Sequence, residues 1–267
     1  MSAGATKRAV LRWSLPAISG VCFLALWALA KWWWNFPKFF LPYPWEVAEA
    51  GWAERARLFR AATSTMSGAL IGFAAAALAG GLIGVLLASS RWMRVAFYPH
   101  VLIVQMFPIV VLAPLFVLWF RAGIHSVSAI AFVIGFFPVV ANATQGLIST
   151  DRNMVDLFHS TGANFLQEFL WLRVPFAMPY YLVGLRISAS LAMIGAVTGE
   201  LFAGSASGGS GGLGFMVIIY HSQLRTAEVL ATGFVACLCG FAFVGSVTWL
   251  NHVLLRRWHD SIERNDV

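Results

Sequence analysis

The stretch Gly208-Gly209-Ser210-Gly211-Gly212 is the nearest this chain comes to a catalytic motif, since it has the spacing of a nucleophile elbow, in which a serine is pushed out of a tight turn. That chemistry needs a strand before the turn, a helix after it, and an acid and a histidine further on, whereas here a long apolar run precedes the glycines. Nor can these glycines hold a nucleotide phosphate, because no Lys-Ser or Lys-Thr pair follows them. The six histidines, His100, His125, His159, His221, His252 and His259, never take the His-x-x-x-His spacing that sets two rings on one helical face, so no metal site is expected. Cys22 stands alone, and Cys237 and Cys239, two apart on a helix, point to different sides; all three are read as small buried apolar residues. No catalytic set emerges, and a chain without a nucleotide-binding motif must draw any energy it uses from another protein.

Composition explains why chemistry is scarce. With 60% hydrophobic and 11% charged residues and a mean hydropathy of +0.77, the chain lacks the roughly one quarter of charged residues that the surface of a soluble domain requires. Intervals almost free of charge run from Trp13 to Ala30, Ala61 to Ser90, Val95 to Phe120, Ala122 to Ile148, Val174 to Gly199 and Val229 to Leu255. Each is near or above the ~20 residues that cross a ~30 Å hydrocarbon core, which predicts an all-α membrane protein of six spans. The first interval, with Lys7, Arg8 and Arg12 before it and Ala28-Leu29-Ala30 at its end, imitates a signal peptide. Trp32-Trp33-Trp34 then anchors it at an interface, which favours an uncleaved first helix. A short interfacial helix is expected from Trp45 to Leu58, a flexible Gly/Ser loop from Gly204 to Gly214, and a charged tail after the last span. The chain thus divides into residues 1–60, the first span with an external segment; 61–256, the transmembrane core; and 257–267, the tail.

The net charge of +7 does not form a patch suited to nucleic acid; the basic residues are scattered through short loops. With both termini in the cytoplasm, Lys7, Arg8, Arg12, Arg91, Arg94, Arg152, Arg173, Arg256, Arg257 and Arg264 fall inside. Lys31, Lys38, Arg55, Arg57, Arg60, Arg121 and Arg225 fall outside, a modest bias in the direction that membrane insertion prefers.

The longest amphipathic interval runs from Asp151 to Pro175. Met154, Val155 and Phe158, then Phe165, Leu166, Phe169 and Leu172, recur at helical steps, and Gly162 stands where one helix would end and the chain turn. The spacing resembles the cytoplasmic loop of permease subunits of binding-protein-dependent ABC importers, which reads Glu-Ala-Ala, three residues, Gly, nine residues, an aliphatic residue, one residue, Leu-Pro. Asp156 takes the Glu position, Leu157 and Phe158 the two Ala positions, Gly162 the Gly, Leu172 the aliphatic, and Val174-Pro175 the Leu-Pro. His159 follows the triplet, and Phe158 is much larger than the family's Ala. Gly184-Leu185-Arg186, Gly199-Glu200 and Gly212-Leu213-Gly214 look like the subgroup that imports sulfonates, taurine, nitrate or thiamine-precursor pyrimidines. The resemblance implies a multi-pass inner-membrane permease that pairs with a second copy of itself. It also implies two cytoplasmic ATPase subunits, which bind the ATP and dock on the Asp151–Pro175 loop, and an external solute-binding protein that delivers the substrate.

A transporter needs a path, and polar or helix-breaking residues inside spans are where to look. Gln105 sits one turn before Pro108 in the third span, which also carries Pro114, so that helix should kink or break near mid-membrane. A broken helix there either lines the path or is a plain kink in a packed bundle. In the fifth span Arg186 and Glu200 are 14 residues apart, about 21 Å along a helix, so each is expected near an opposite end, unpaired. Gln105, Pro108 and Glu200 are the path candidates, with an interfacial acid as the other reading of Glu200. In the second span Gly68, Gly72, Ala76, Gly80 and Gly84 recur every four residues and predict a close helix contact, within the subunit or between copies. An ion-coupled secondary transporter would instead show ionisable groups within several spans and an inverted repeat, and neither is evident.

The orientation is testable in intact cells. A water-soluble thiol reagent applied from outside should label a cysteine placed at Gly208 and leave one placed at Ser160 untouched; labelling at 160 would reverse the topology.

Overall fold

A computed structural model describes residues 3–204 and 211–256 of the chain. The charged tail 257–267, and with it His259, and the motif residues Gly208 to Ser210 lie outside the described residues. Eleven α-helices account for nearly all of the described chain, and no strand occurs among those residues: α1 Ala3–Trp34, α2 Pro44–Ala53, α3 Arg55–Ser89, α4 Arg91–Met106, α5 Ile109–Phe120, α6 Ile124–Ile148, α7 Arg152–Ser160, α8 Phe165–Glu168, α9 Val174–Ala203, α10 Leu213–Ser222 and α11 Thr226–Arg256. A π-helical turn, Phe169–Arg173, joins α8 to α9 and makes one helical rod of 39 residues from Phe165 to Ala203. Five helices are long and apolar enough to span, and α4 with α5, bent by 91° at their junction, makes a sixth if the pair is one broken span. The break falls at Phe107-Pro108, where both residues are extended and Pro108 caps α5, as expected of a residue with no N–H to continue the helix.

The core is a contact between three helices made of small residues. Each ridge glycine of α3 meets a residue of α6 one turn further on: a Cβ at Gly68 would lie 2.8 Å from Val127 Cγ1, at Gly72 2.6 Å from Ala131 Cβ, at Gly80 2.8 Å from Val139 Cβ, and at Gly84 2.5 Å from Ala143 Cβ. The ridge therefore serves packing within the subunit. An adjoining face of α6 meets α9 in the same manner: a Cβ at Gly184 would stand 3.0 Å from Pro138 O, one at Gly195 2.8 Å from Ala131 Cα, and one at Gly135 2.8 Å from Ser188 Oγ. Backbones come this close only where no side chain intervenes, and in hydrocarbon such contact, with interhelical hydrogen bonds, is what holds helices together. α11 closes the third side of α9, where Asn251 Nδ2 donates to Leu182 O at 2.8 Å and Phe243 and Val247 pack on Ala189, Ala192 and Ala196.

Some sequence expectations are corrected. The short interfacial helix is α2, which stops at Ala53; Leu58 belongs to α3 and is buried against Leu213. The junction residue Glu54 explains the break, because its carboxylate accepts from Arg225 Nη2 at 2.9 Å and from Arg57 Nη1 at 3.3 Å. The Arg225 hydrogen bond holds the Glu54 carboxyl below its ordinary range and ties the α2–α3 corner to the start of α11. Cys22 and Cys237 are exposed on the protomer and only Cys239 is half-buried, because α1 and α11 each pack along one side and leave the other outward. The sequence also gave no warning of α10, a short apolar helix in the connection between α9 and α11.

Gly72→Ala and Gly233→Ala distinguish the two kinds of helical glycine. The first places a Cβ 2.7 Å from Ser128 O and 2.9 Å from Phe132 N, backbone atoms that cannot rotate away, whereas Gly233 faces open space. Gly72→Ala should cost about 1–3 kcal/mol through overpacking, while Gly233→Ala should be neutral or gain up to about 1 kcal/mol of helix propensity. Thermal unfolding of the two purified variants in detergent measures the difference.

Candidate functional site: the loop before α9 and the two ends of that helix

The loop between α6 and α9 is built from local capping. Asp151 Oδ1 accepts from Asn153 N at 2.9 Å to start α7. Gly162, at φ +78°, ends it: Ala163 N donates to Phe158 O at 3.1 Å and Gly162 N to His159 O at 3.0 Å, the paired bonds of a Schellman motif. Asn164 and Gln167 then form a reciprocal capping box, Gln167 N to Asn164 Oδ1 at 2.8 Å and Asn164 N to Gln167 Oε1 at 2.9 Å, which begins α8. The π turn follows, with Val174 N bonded back to Phe169 O, ahead of Pro175, which has no N–H to offer.

Glu168 locks these pieces together. It is 3% exposed, its Oε2 lies 2.9 Å from His159 Nε2 on α7, and its Oε1 accepts from Arg173 Nε at 2.6 Å. A buried carboxylate with partners on two elements is costly to disturb, because removing either partner leaves a charge unsatisfied. α7 is thereby held to the start of the 39-residue rod. On α7, Asp156, Leu157 and His159 are exposed and Phe158 is half-buried; Leu172, Val174 and Pro175 are half-buried at the π turn and the start of α9. Between them lies a hollow of about 520 Å³ walled by Leu157, Phe158, Gly162, Gln167 and Trp171. Of the loop residues identified by spacing, Leu157, Phe158 and Gly162 line one hollow, whereas Glu168 and Arg173, which tie α7 to the rod, went unrecognised. Their pairing spans intervals of nine and five residues with a turn between, so no helical periodicity signals it.

The path candidates do not converge. Gln105 and Pro108 are exposed at the α4–α5 corner, and among the described residues no hydrogen bond or ion pair links them to Glu200. Glu200 is 2% exposed near the C-terminal end of α9. Its Oε2 accepts from Thr65 Oγ1 on α3 and from Gly214 N on α10, each at 2.9 Å, while Leu213 N donates to Thr65 Oγ1 at 2.9 Å. A Cβ at Gly212 would stand 1.8 Å from Glu200 Oε1, so the carboxylate sits against bare backbone at the start of α10. Glu200 joins three helices and forms no ion pair with Arg186.

Arg186 also departs from expectation. Ser188 touches Gly135, the middle of α6, and Arg186 precedes Ser188 by half a turn, so the arginine sits at the middle of the membrane-spanning bundle and not near the end of its helix. It is exposed on the protomer.

Thr65→Val tests the outer clasp. Loss of the hydroxyl leaves Leu213 N–H without its acceptor and removes one donor from Glu200, at about 1–3 kcal/mol for the buried unsatisfied groups. Amide hydrogen exchange should accelerate at Leu213 and Gly214 and stay unchanged in α7.

Comparison with known proteins agrees with this architecture. The formylaminopyrimidine transport permease protein ThiX of Halalkalibacterium halodurans is 36% identical over 185 residues, 69% of this chain and 72% of that protein. The riboflavin transport system permease protein RibX of Chloroflexus aurantiacus is 32% identical over 232 residues, covering 85% and 83%. A putative aliphatic sulfonates transport permease protein, SsuC of Bacillus subtilis, is 29% identical over 197 residues, covering 73% and 68%. These are permease components and not enzymes. Residues 80–260 match the binding-protein-dependent transport system inner membrane component family, and with its several apolar helices this chain belongs to that family, as a multi-pass permease of the inner membrane.

Proposed function

We propose that this chain, paired with a second copy, forms the translocation path of an importer for a small organic anion or heterocycle. ATP is bound and hydrolysed by two separate cytoplasmic subunits that dock on the Asp151–Pro175 loop, and an external binding protein delivers the passenger. The observation that carries the reading is the construction of the loop. α7 presents Asp156, Leu157 and His159 outward, yet it is fastened through Glu168 to a helix that continues across the membrane. A push on α7 would reach the outer end of α9, where Glu200 holds α10. Alternating access follows if the ATP-bound partner and the loaded binding protein favour different positions of that rod. An ion-coupled carrier fits less well: Glu200, the acid within a span, already has its oxygen engaged by Thr65 and Gly214.

Gly162→Val is the experiment. No atom lies within 4 Å of the missing Cβ, so any effect comes from the backbone, which at φ +78° costs a β-branched residue about 1 kcal/mol or more. α7 should tilt and draw Asp156 and Leu157 off the ATPase subunit. The expected result is an assembled complex whose ATP hydrolysis no longer rises with loaded binding protein. Wild-type stimulation and uptake in Gly162→Val would remove the loop from the mechanism.

A further inference from the structure

We infer that Arg186 lies on the translocation path and supplies the positive charge that an anionic group of the passenger meets half-way across the membrane. The inference rests on the importer reading above and selects an anion from the substrates that reading allows.

Depth comes first. α6 runs from Ile124 to Ile148, and Gly135, at its middle, is the residue that Ser188 touches. Either side of that level, Gly72 meets Ala131 and Gly80 meets Val139, so the three core helices agree on where mid-depth is. Arg186 is two residues from Ser188, about 3 Å along the axis. Three methylenes and a guanidinium do not cover half of a ~30 Å hydrocarbon core, so the head group cannot reach either interface. A fixed cation exposed at this depth would be expensive against lipid and must face water, a partner or a ligand.

Among the described residues no acidic partner stands at that depth. The chain has eleven acidic residues. Glu46, Glu49 and Glu54 precede α3; Asp151, Asp156 and Glu168 belong to the loop; Glu200 is clasped near the outer end of α9; Glu228 is in the first turn of α11; and Asp260, Glu263 and Asp266 follow α11 in the charged tail. The two on the same rod as Arg186 are 18 and 14 residues away, about 27 and 21 Å. Among the described residues, then, no acid stands at the depth of Arg186 and none pairs with it, and under the proposal its counter-charge arrives with the passenger.

The surroundings suit a passenger. One turn beyond Arg186, Ser190 opens a groove of about 450 Å³ between α9 and α11, also lined by Met193, Thr198, Cys237, Gly240 and Phe241. Ser190 and Thr198 offer hydroxyl groups along an otherwise apolar wall, the usual composition of a small-molecule site, and the groove begins one helical turn along α9 from Arg186. A guanidinium presents a planar fork of donors that matches sulfonate, carboxylate or nitrate oxygens.

The test uses the full chain assembled with its ATPase subunits and binding protein in liposomes, with ethanesulfonate and nitrate as anionic probes and a formylaminopyrimidine as the uncharged one. Uptake of an anion by the wild type should fall about tenfold or more in Arg186→Gln and recover most of that loss in Arg186→Lys. In a background of Cys22→Ala, Cys237→Ala and Cys239→Ala, Arg186→Cys should react with water-soluble methanethiosulfonates. The cationic reagent should then restore anion uptake and the anionic one should not, a rescue that a packing role would not produce. Unchanged anion uptake in Arg186→Gln, absence of reaction at Arg186→Cys in every nucleotide state, or equal restoration by both reagents overturns the role of Arg186 while leaving the importer reading intact. A wild-type complex that carries the pyrimidine and neither anion overturns the anion assignment together with it.

Discussion

Everything else in the protomer depends on how closely α3, α6 and α9 approach one another. In water a helix bundle is held by burying apolar side chains, but in lipid the alternative environment is equally apolar and that driving force disappears. Contact must then come from dispersion between backbones and small side chains, and the sequence supplies the means: glycine or alanine at every fourth position of α3, and glycines on both α6 and α9 where they cross. The consequence is a core without much freedom. Backbone atoms in contact with missing Cβ positions fix the relative heights of the three helices, which is why the depth of a residue on α9 can be read from its neighbours on α6.

That rigid trio leaves the protomer's polar joints at the ends. At the N-terminal end of the rod Glu168 gathers His159 and Arg173; at the C-terminal end Glu200 gathers Thr65 and an amide of α10. Both carboxylates are almost wholly buried and both belong to the same 39-residue rod. A buried carboxylate constrains its partners more sharply than apolar contact does, because a small displacement leaves an unsatisfied charge. Under the proposed function the two clasps make α9 the member through which a loop in the cytoplasm and a short helix on the other side share one motion.

Much of this was legible in the residues. The spans follow from charge-free intervals, the break of the third span from Pro108, the α3 contact from its four-residue ridge, and the end of α7 from Gly162. What escaped the sequence depends on relations between segments. Arg186 was placed near a helix end by counting from Glu200 alone; its depth is set by the register of α9 on α6, which no single segment contains. Glu168 and Thr65 look like ordinary amphipathic or small polar residues until the turn at Gly162, or the 135 residues between Thr65 and Glu200, are folded away. α10 does not announce itself because ten apolar residues are too few to suggest a span, and only its docking by Thr65 and Glu200 gives it a place.

The position of Arg186 bears on assembly as well as on transport. A lone protomer in the bilayer would hold a guanidinium at mid-depth on its exposed surface, a cost that the chain's own acids cannot offset. Under the proposed function, a second copy and a water-filled passage between the two would relieve it by supplying solvent, and association and hydration of the path would then be linked. The apolar core of small residues makes the protomer a well-defined solid, and under the proposal the charge exposed at its centre is what the polar passage would complete.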